Sequence, residues 1–324
     1  MKAAVLAQLG TVPVYAEFAN PQPKNENEIV MDVKAASVKN LDKLRASGKH
    51  YASYTQLPTV VGFDGVGTLA DGTLVYAQGI SGMLAEKALI HKGNYLVLPS
   101  NIDVATAAAL PNAVIGSAMA LVFRAKIRPG AVVLINGATG VTGQVAVQLA
   151  KHYGASKVIA TGRNADSLER LLTLGADEIV SLQDEDAVIV EKLKAIQLQN
   201  PIDIVIDYIW GHSVELLLRA LKGKGGYTHP VKIVTVGSIS GEEIVLRSDV
   251  LRSTAIEILG SGIGSLSENE MKLYIEEVLP EAFKLAANGK LQIATEVAPL
   301  AQIQDYWNKT IDAGKRLVVC VGLE

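Results

Sequence analysis

Val132-Val133-Leu134-Ile135-Asn136-Gly137-Ala138-Thr139-Gly140-Val141-Thr142-Gly143 reads as a buried strand, a glycine-spaced turn and the opening of a helix carrying Val145, Val147, Leu149 and Ala150. Small residues at 137, 140 and 143 let the backbone turn sharply and approach a diphosphate. The helix start then offers unpaired N–H groups and the positive end of its dipole. A glycine triplet alone is also just a tight strand–helix turn. Between a strand and a helix it predicts a dinucleotide site contacted by Gly137, Ala138, Thr139, Gly140, Val141, Thr142 and Gly143.

Working outward, short Val/Ile runs alternate with helical segments from residue 131 on, as parallel βαβ units do. Strands are expected at 131–136, 157–161, 178–181, 203–207, 232–237 and 255–259, with helices near 141–153, 167–174, 186–197 and 213–221. The strands are apolar throughout, which fits a sheet covered on both faces. The second strand ends in Gly162-Arg163-Asn164. An Asp or Glu there would accept from a ribose 2′-OH and repel a 2′-phosphate, whereas a guanidinium can pair with that phosphate. Arg163 therefore points to NADPH over NADH; the alternative is a solvated arginine in a turn.

Up to about residue 125 the chain reads differently, as β-rich runs at 28–35, 60–69 and 73–76 punctuated by Gly62, Gly65, Gly67 and Asp71-Gly72. After about 261 comes a long helix over 268–287, a strand near 292–297, a helix over 303–313 and a closing apolar run at 317–321. This tail is too short for a domain of its own, so it is expected to fold back onto the first region.

The chain has 324 residues, 49% of them hydrophobic, and 30 Lys+Arg against 33 Asp+Glu for a net charge of −3. That excludes a disordered chain and gives no electrostatic footprint for nucleic acid or an anionic membrane. Cys320 is the only cysteine, so neither an intrachain disulfide nor a multi-thiolate zinc site can form. The start, Met1-Lys2-Ala3-Ala4-Val5-Leu6, lacks an extended apolar core, and the greasy stretch 105–123 is broken by Pro111, Asn112 and Gly116. A soluble cytoplasmic protein is expected.

Several constellations are missing. His50, His91, His152, His212 and His229 are scattered, with no two at metal-binding helical spacing. Tyr153-x-x-x-Lys157 has the spacing of a reductase pair, but Gly154 ends the helix between the two. Gly237-Ser238-Ile239-Ser240-Gly241 has Ile where a nucleophile elbow needs Ser. Cys320, in an apolar run, reads as an inert core thiol.

The order of motifs resembles the medium-chain dehydrogenase/reductase superfamily, in its zinc-free quinone oxidoreductase (zeta-crystallin-like) branch. The resemblance runs from Met1-Lys2-Ala3 through Asp42 and Ser47-Gly48, Pro58-x-x-x-Gly62-Phe63-Asp64-x-x-Gly67, Gly82-Met83-Leu84-Ala85-Glu86 and Leu98-Pro99. It continues through Ala107-Ala108-Ala109-Leu110-Pro111, the glycine turn with Gln144, Leu174-Gly175-Ala176-Asp177 and 203–207. The zinc-dependent branch has Cys at the place of Lys39 and a Gly-His-Glu motif where this chain has Gly62-Phe63-Asp64, so the resemblance implies no metal. This chain departs from the quinone branch at Lys39, where that branch usually has Asn, at Ser117, which replaces Thr, and in a shortened stretch between Gly67 and Ala85.

The resemblance implies an α/β fold, a Rossmann doubly wound parallel sheet (123–261) inserted in a GroES-like β-barrel catalytic domain (1–122 and 262–324). By position it adds Ser117, Asp207, Tyr208, Val236, Gly237 and Ser238 to Gly162, Arg163 and Asn164 as cofactor-binding residues. The implied activity is hydride transfer from NADPH to a quinone or an α,β-unsaturated carbonyl, with Lys39, Asn40 and Tyr51 as candidate catalytic donors. Two alternatives stay open, a metal-free alcohol or aldehyde reductase and a low-turnover NADPH-binding structural or RNA-associated protein. A homodimer (or tetramer) is expected, with 255–259 as an edge strand able to pair across it.

Overall fold

The computed structural model describes residues 1–323. They form two compact units, Met1–Asn112 together with the chain from Pro280 onward, and Ala113–Leu279.

The first unit begins with β1 (Lys2–Leu6), β2 (Val14–Glu17), β3 (Glu28–Ser37), helix α1 (Asn40–Ser47), β4 (Thr59–Val60), β5 (Asp64–Thr68), β6 (Leu74–Gly79) and β7 (Lys87–Val97). Strands β2, β1 and β4 make a small sheet, while β3, β5, β6 and β7 pair antiparallel and β7 returns to pair with β3, closing a barrel. The run expected as one strand over 60–69 is split, because Phe63 sends its N–H to the Asp42 carboxylate (2.9 Å) and not to a strand neighbour. Helix α2 (Val104–Ala118) carries Pro111 and leads into a π-helical turn, Met119–Arg124. The stretch Val104–Arg124 is long and apolar enough to cross a membrane, yet 67% of its most apolar window is buried within the protein, as in a core helix.

The second unit is a βα succession: β8 (Val132–Asn136), α3 (Val141–His152), β9 (Lys157–Gly162), α4 (Ala165–Thr173), β10 (Glu178–Ser181), α5 (Asp186–Gln199), β11 (Ile204–Asp207), α6 (His212–Leu221), β12 (Val231–Thr235), α7 (Ser248–Ser253) and β13 (Ile256–Gly260). All six strands are parallel, in the order β10-β9-β8-β11-β12-β13. Every expected strand is found to within two residues. The chain winds outward from β8 to β10, then restarts beside β8 at β11 and winds the other way, so the switch point of this Rossmann sheet lies between β8 and β11. Leu134, Ile159, Val205 and Ile233 of the central strands are fully buried with Val214 and Leu217 of α6.

Helices α8 (Glu268–Leu273) and α9 (Leu279–Ala287) are joined by a π-helical segment, Tyr274–Val278, into the long helix expected. Then come β14 (Ala294–Pro299), α10 (Ile303–Trp307) and β15 (Lys315–Cys320). Strand β15 pairs antiparallel with β3 and parallel with β14, returning the tail to the first unit's sheet. The helix expected over 303–313 stops at Trp307; Thr310 and Ile311 are β-branched neighbours with little gain from continuing it. Trp307 and Leu317 complete a core with Leu6, Met31, Met83 and Ile90.

Candidate cofactor and active site

Within the second unit, polar residues sit at or next to the ends of three adjacent strands with apolar centres: Asn136 on β8, Thr161 on β9 and Asp207 on β11. They lie in register at the switch point and are all buried. Above them Gly137 turns the chain with φ 81°, and a Cβ there would come within 2.6 Å of Ile209 Cγ2. The turn therefore needs glycine for its backbone and for its neighbour.

Helix α3 starts at Gly140, whose lack of a side chain leaves its first-turn N–H groups without a side-chain cap. By contrast α4 is capped by Asn164, whose Oδ1 accepts from Ser167 N (2.8 Å). An uncapped helix start at the switch point suits a diphosphate, which would receive those N–H groups. Ala138 and Gly143 are buried beneath this turn, Thr139, Val141 and Thr142 are half-buried, and Gly140 is exposed at its tip. The neighbouring strand end is close: a Cβ on Gly162 would lie 2.4 Å from Thr139 Cγ2. Arg163 follows, exposed and without an ion pair among the described residues.

The remaining expected cofactor residues fall into two groups. Tyr208, Val236, Gly237 and Ser238 are half-buried at the ends of β11 and β12, with the Tyr208 hydroxyl donating to Gly116 O (3.1 Å) and Ser238 Oγ to Glu242 Oε1 (2.8 Å). Burial, with Asp207 behind it, holds the Tyr208 phenol far above its ordinary pKa, so it stays a neutral donor. Asp207 and Ser117 turn inward. Ser117 Oγ donates to Ala113 O (2.7 Å) in its own helix. Asp207 is 0% exposed, and its carboxylate accepts from Asn136 Nδ2 (2.8 Å), Ile209 N (3.2 Å) and Trp210 N (3.1 Å). Burial raises its pKa, and these donors oppose the rise. Asn136 and Thr161 join the site although neither is an expected cofactor residue; a polar residue at the end of an apolar run is the signal the sequence carries for them.

The candidate catalytic residues belong to the first unit. Lys39 is 2% exposed; its ammonium donates to Ser37 O (3.0 Å), Ser37 Oγ (3.1 Å) and Asp64 Oδ1 (2.5 Å), and Asp42 Oδ2 lies at 3.5 Å. Burial alone would lower its pKa, but Asp42 and Asp64 outweigh burial and the nearby Arg316, and the net shift is upward. As a proton donor Lys39 would have to surrender one of these partners. Asp42 also accepts from Lys39 N (2.9 Å), which starts α1, and Asp64 Oδ2 accepts from the Tyr76 hydroxyl (2.8 Å). Asn40, the first residue of α1, is exposed, and Tyr51 is 95% exposed with its ring 4.2 Å from that of His50. Among the described residues no three His, Cys, Asp or Glu side chains gather as metal ligands.

Known proteins match this arrangement along the whole chain. A family model described as zinc-binding dehydrogenase matches residues 141–280. A probable NADPH-dependent quinone reductase, tdiC, of Emericella nidulans is 27% identical over 351 residues, covering 95% of this chain and 96% of that one. The quinone oxidoreductase of Thermus thermophilus, solved also in complex with NADPH, superposes with a TM-score of 0.77 at 27% identity, covering 99% of this chain and 100% of its own. Along its whole length the chain is similar to quinone oxidoreductases, and the dehydrogenase model matches most of its parallel-sheet unit.

Another relative, the chloroplastic NADPH-dependent alkenal/one oxidoreductase of Arabidopsis thaliana, is 36% identical over 210 residues. That match spans 57% of this chain and about half, 53%, of the plant protein. Where the resemblance to the zinc-dependent branch leads one to expect ligands, this chain has the Lys39 ammonium and the Phe63 ring, the latter with Arg45 5.7 Å from its centroid.

Proposed function

We propose that this protein is an NADPH-dependent oxidoreductase that reduces a quinone or an α,β-unsaturated carbonyl. The observation that carries the reading is the uncapped start of α3 behind Gly137 at the switch point, beside an unpaired Arg163 where an NADH-selective site would have a carboxylate. The printed functions of the fungal and plant relatives support the acceptor class.

Bound NADPH supplies the hydride. The chain's own work is to hold it: α3 amides receive the diphosphate, Arg163 pairs with the 2′-phosphate, and Gly137 keeps the turn low enough for close approach. A conjugated acceptor gathers negative charge on an oxygen, which hydrogen-bond donors stabilise without a Lewis acid. Asn40 and Tyr51 are the proposed donors, because both are exposed and Lys39 is committed elsewhere. Lys39 then serves as a fixed cation that sets α1 and the start of β5. The outer edge of β13, at the end of the sheet, is the strand proposed to pair across a homodimer of this soluble, cytoplasmic enzyme.

The test is NADPH oxidation by purified protein against quinones, enones and saturated aldehydes, with NADH as control. Turnover with NADPH and a quinone or enone is expected. Turnover with saturated aldehydes alone, or with none of the panel, would reject the proposal.

A further inference from the structure

Between the turn that follows β8 and the turn that follows β11 runs a hydrogen-bond chain with a single sense. The Gly137 N–H donates to Thr161 Oγ1 (3.2 Å), and Thr161 Oγ1 lies 2.7 Å from Asn136 Oδ1. The Asp207 carboxylate needs a donor from Asn136, so the Asn136 Oδ1 faces Thr161 and accepts the hydroxyl proton. With the amide so oriented, Asn136 Nδ2 donates to Asp207 Oδ1 (2.8 Å) and Ser213 Oγ (3.0 Å). One end of the chain is a backbone N–H that can only donate, and the other is a carboxylate.

The carboxylate end grips a second turn. Both oxygens of Asp207 accept from Trp210 N (3.1 Å each), Oδ1 also accepts from Ile209 N, and the Ser213 hydroxyl donates to Trp210 O (3.1 Å). Trp210 has φ 55°, a left-handed conformation that costs a bulky residue energy and is retained where surrounding bonds enforce it. Ile209, held by the same carboxylate, fills the space that Gly137 leaves by lacking a Cβ. The two turns therefore interlock by shape on one side and by the chain of donors on the other.

We propose that Asp207 is a positioning residue for the glycine turn, acting through Asn136 and Thr161 to fix the Gly137 amide and the Ile209–Trp210 turn in one register. It presets the α3 amides for a diphosphate while touching none of the ligand itself. This rests on the dinucleotide reading above.

The test uses Asp207→Asn, which keeps the shape but sets an NH2 against a donor, together with Thr161→Val and Thr161→Ser. The NADPH dissociation constant is read from nicotinamide fluorescence, alongside kcat and KM with an accepted quinone or enone. Asp207→Asn and Thr161→Val are each expected to raise the dissociation constant about tenfold, the worth of one disrupted buried hydrogen bond. At saturating NADPH, kcat is expected to fall less than about threefold. Thr161→Ser, which retains the hydroxyl, restores binding, and the double variant binds no worse than the weaker single, because both cut one chain.

If Asp207→Asn fails to fold, the contrast between Thr161→Val and Thr161→Ser decides alone. Equal binding by wild type and folded variants, or additive losses in the double variant, would overturn the inference and leave the function standing. A wild type that does not bind NADPH in the same titration would overturn the function and the inference with it.

Discussion

Each unit of this protein buries carboxylates away from water, and each satisfies them differently. Asp42 and Asp64 of the first unit flank the Lys39 ammonium, with Arg316 nearby, so side-chain cations offset their charge, while Asp42 also accepts the backbone N–H groups of Lys39 and Phe63. Asp207 of the second unit is held by amide donors, two of them backbone N–H groups of the turn that follows it. A cluster closed by a side-chain cation fixes a scaffold and is indifferent to what binds nearby. A cluster closed by the backbone of a turn reports every shift of that turn. The first suits a barrel that must stay rigid, and the second suits a strand end that must meet a ligand.

The comparison breaks most visibly at Lys39. Lys39→Met removes the ammonium paired with two buried carboxylates and leaves Arg316 as their nearby positive charge, and a loss of about 3–5 kcal/mol in urea unfolding is expected. The pH dependence follows in sign. In the wild type the raised Lys39 pKa means its contribution is fully present at neutral pH and disappears only above the ordinary lysine range.

Arg163→Ala addresses the second unit's ligand and spares its buried network. It should raise KM for NADPH by about 10–100-fold, the worth of a charge-assisted hydrogen bond, and leave KM for NADH within about twofold. Equal changes for both coenzymes would remove Arg163 from the 2′-phosphate. Gly162→Ala sharpens the comparison at the turn: its Cβ would press on Thr139 at 2.4 Å, and a loss of about 1–3 kcal/mol is expected in thermal unfolding. The smallest effect belongs to Ser117→Ala, which removes a hydroxyl bonded to its own helix and should cost at most about 1 kcal/mol on the same assay.

Legibility in the sequence follows the same divide. The second unit's strands carry continuous apolar runs with glycine and polar stops, so all six could be read, along with the turn between β8 and α3. No sequence pattern announces helix α1, because it is short and is started by a carboxylate, Asp42, whose partner Phe63 lies 21 residues away. Strand β7 hides behind His91-Lys92-Gly93-Asn94, whose exposed side chains mask a backbone paired with β3 and β6. Lys39 could be singled out by its position, but its commitment to Asp64 is a contact between residues 25 apart that no local pattern announces. Asn136 and Thr161 were the reverse case, with the polar strand ends in plain view and only their convergence hidden until the sheet order was known.

The return of β15 to β3 has a consequence for how the protein is made. The parallel sheet is encoded without interruption, so every one of its strands has been synthesised before translation reaches β14 and β15. The barrel's sheet must wait for those strands, and until they emerge β3 lacks a neighbour along residues 35–37. A nascent chain stalled before residue 315 would therefore carry a finished sheet next to an unfinished one, and that open strand is where a chaperone, or a stray copy of the chain, would first take hold.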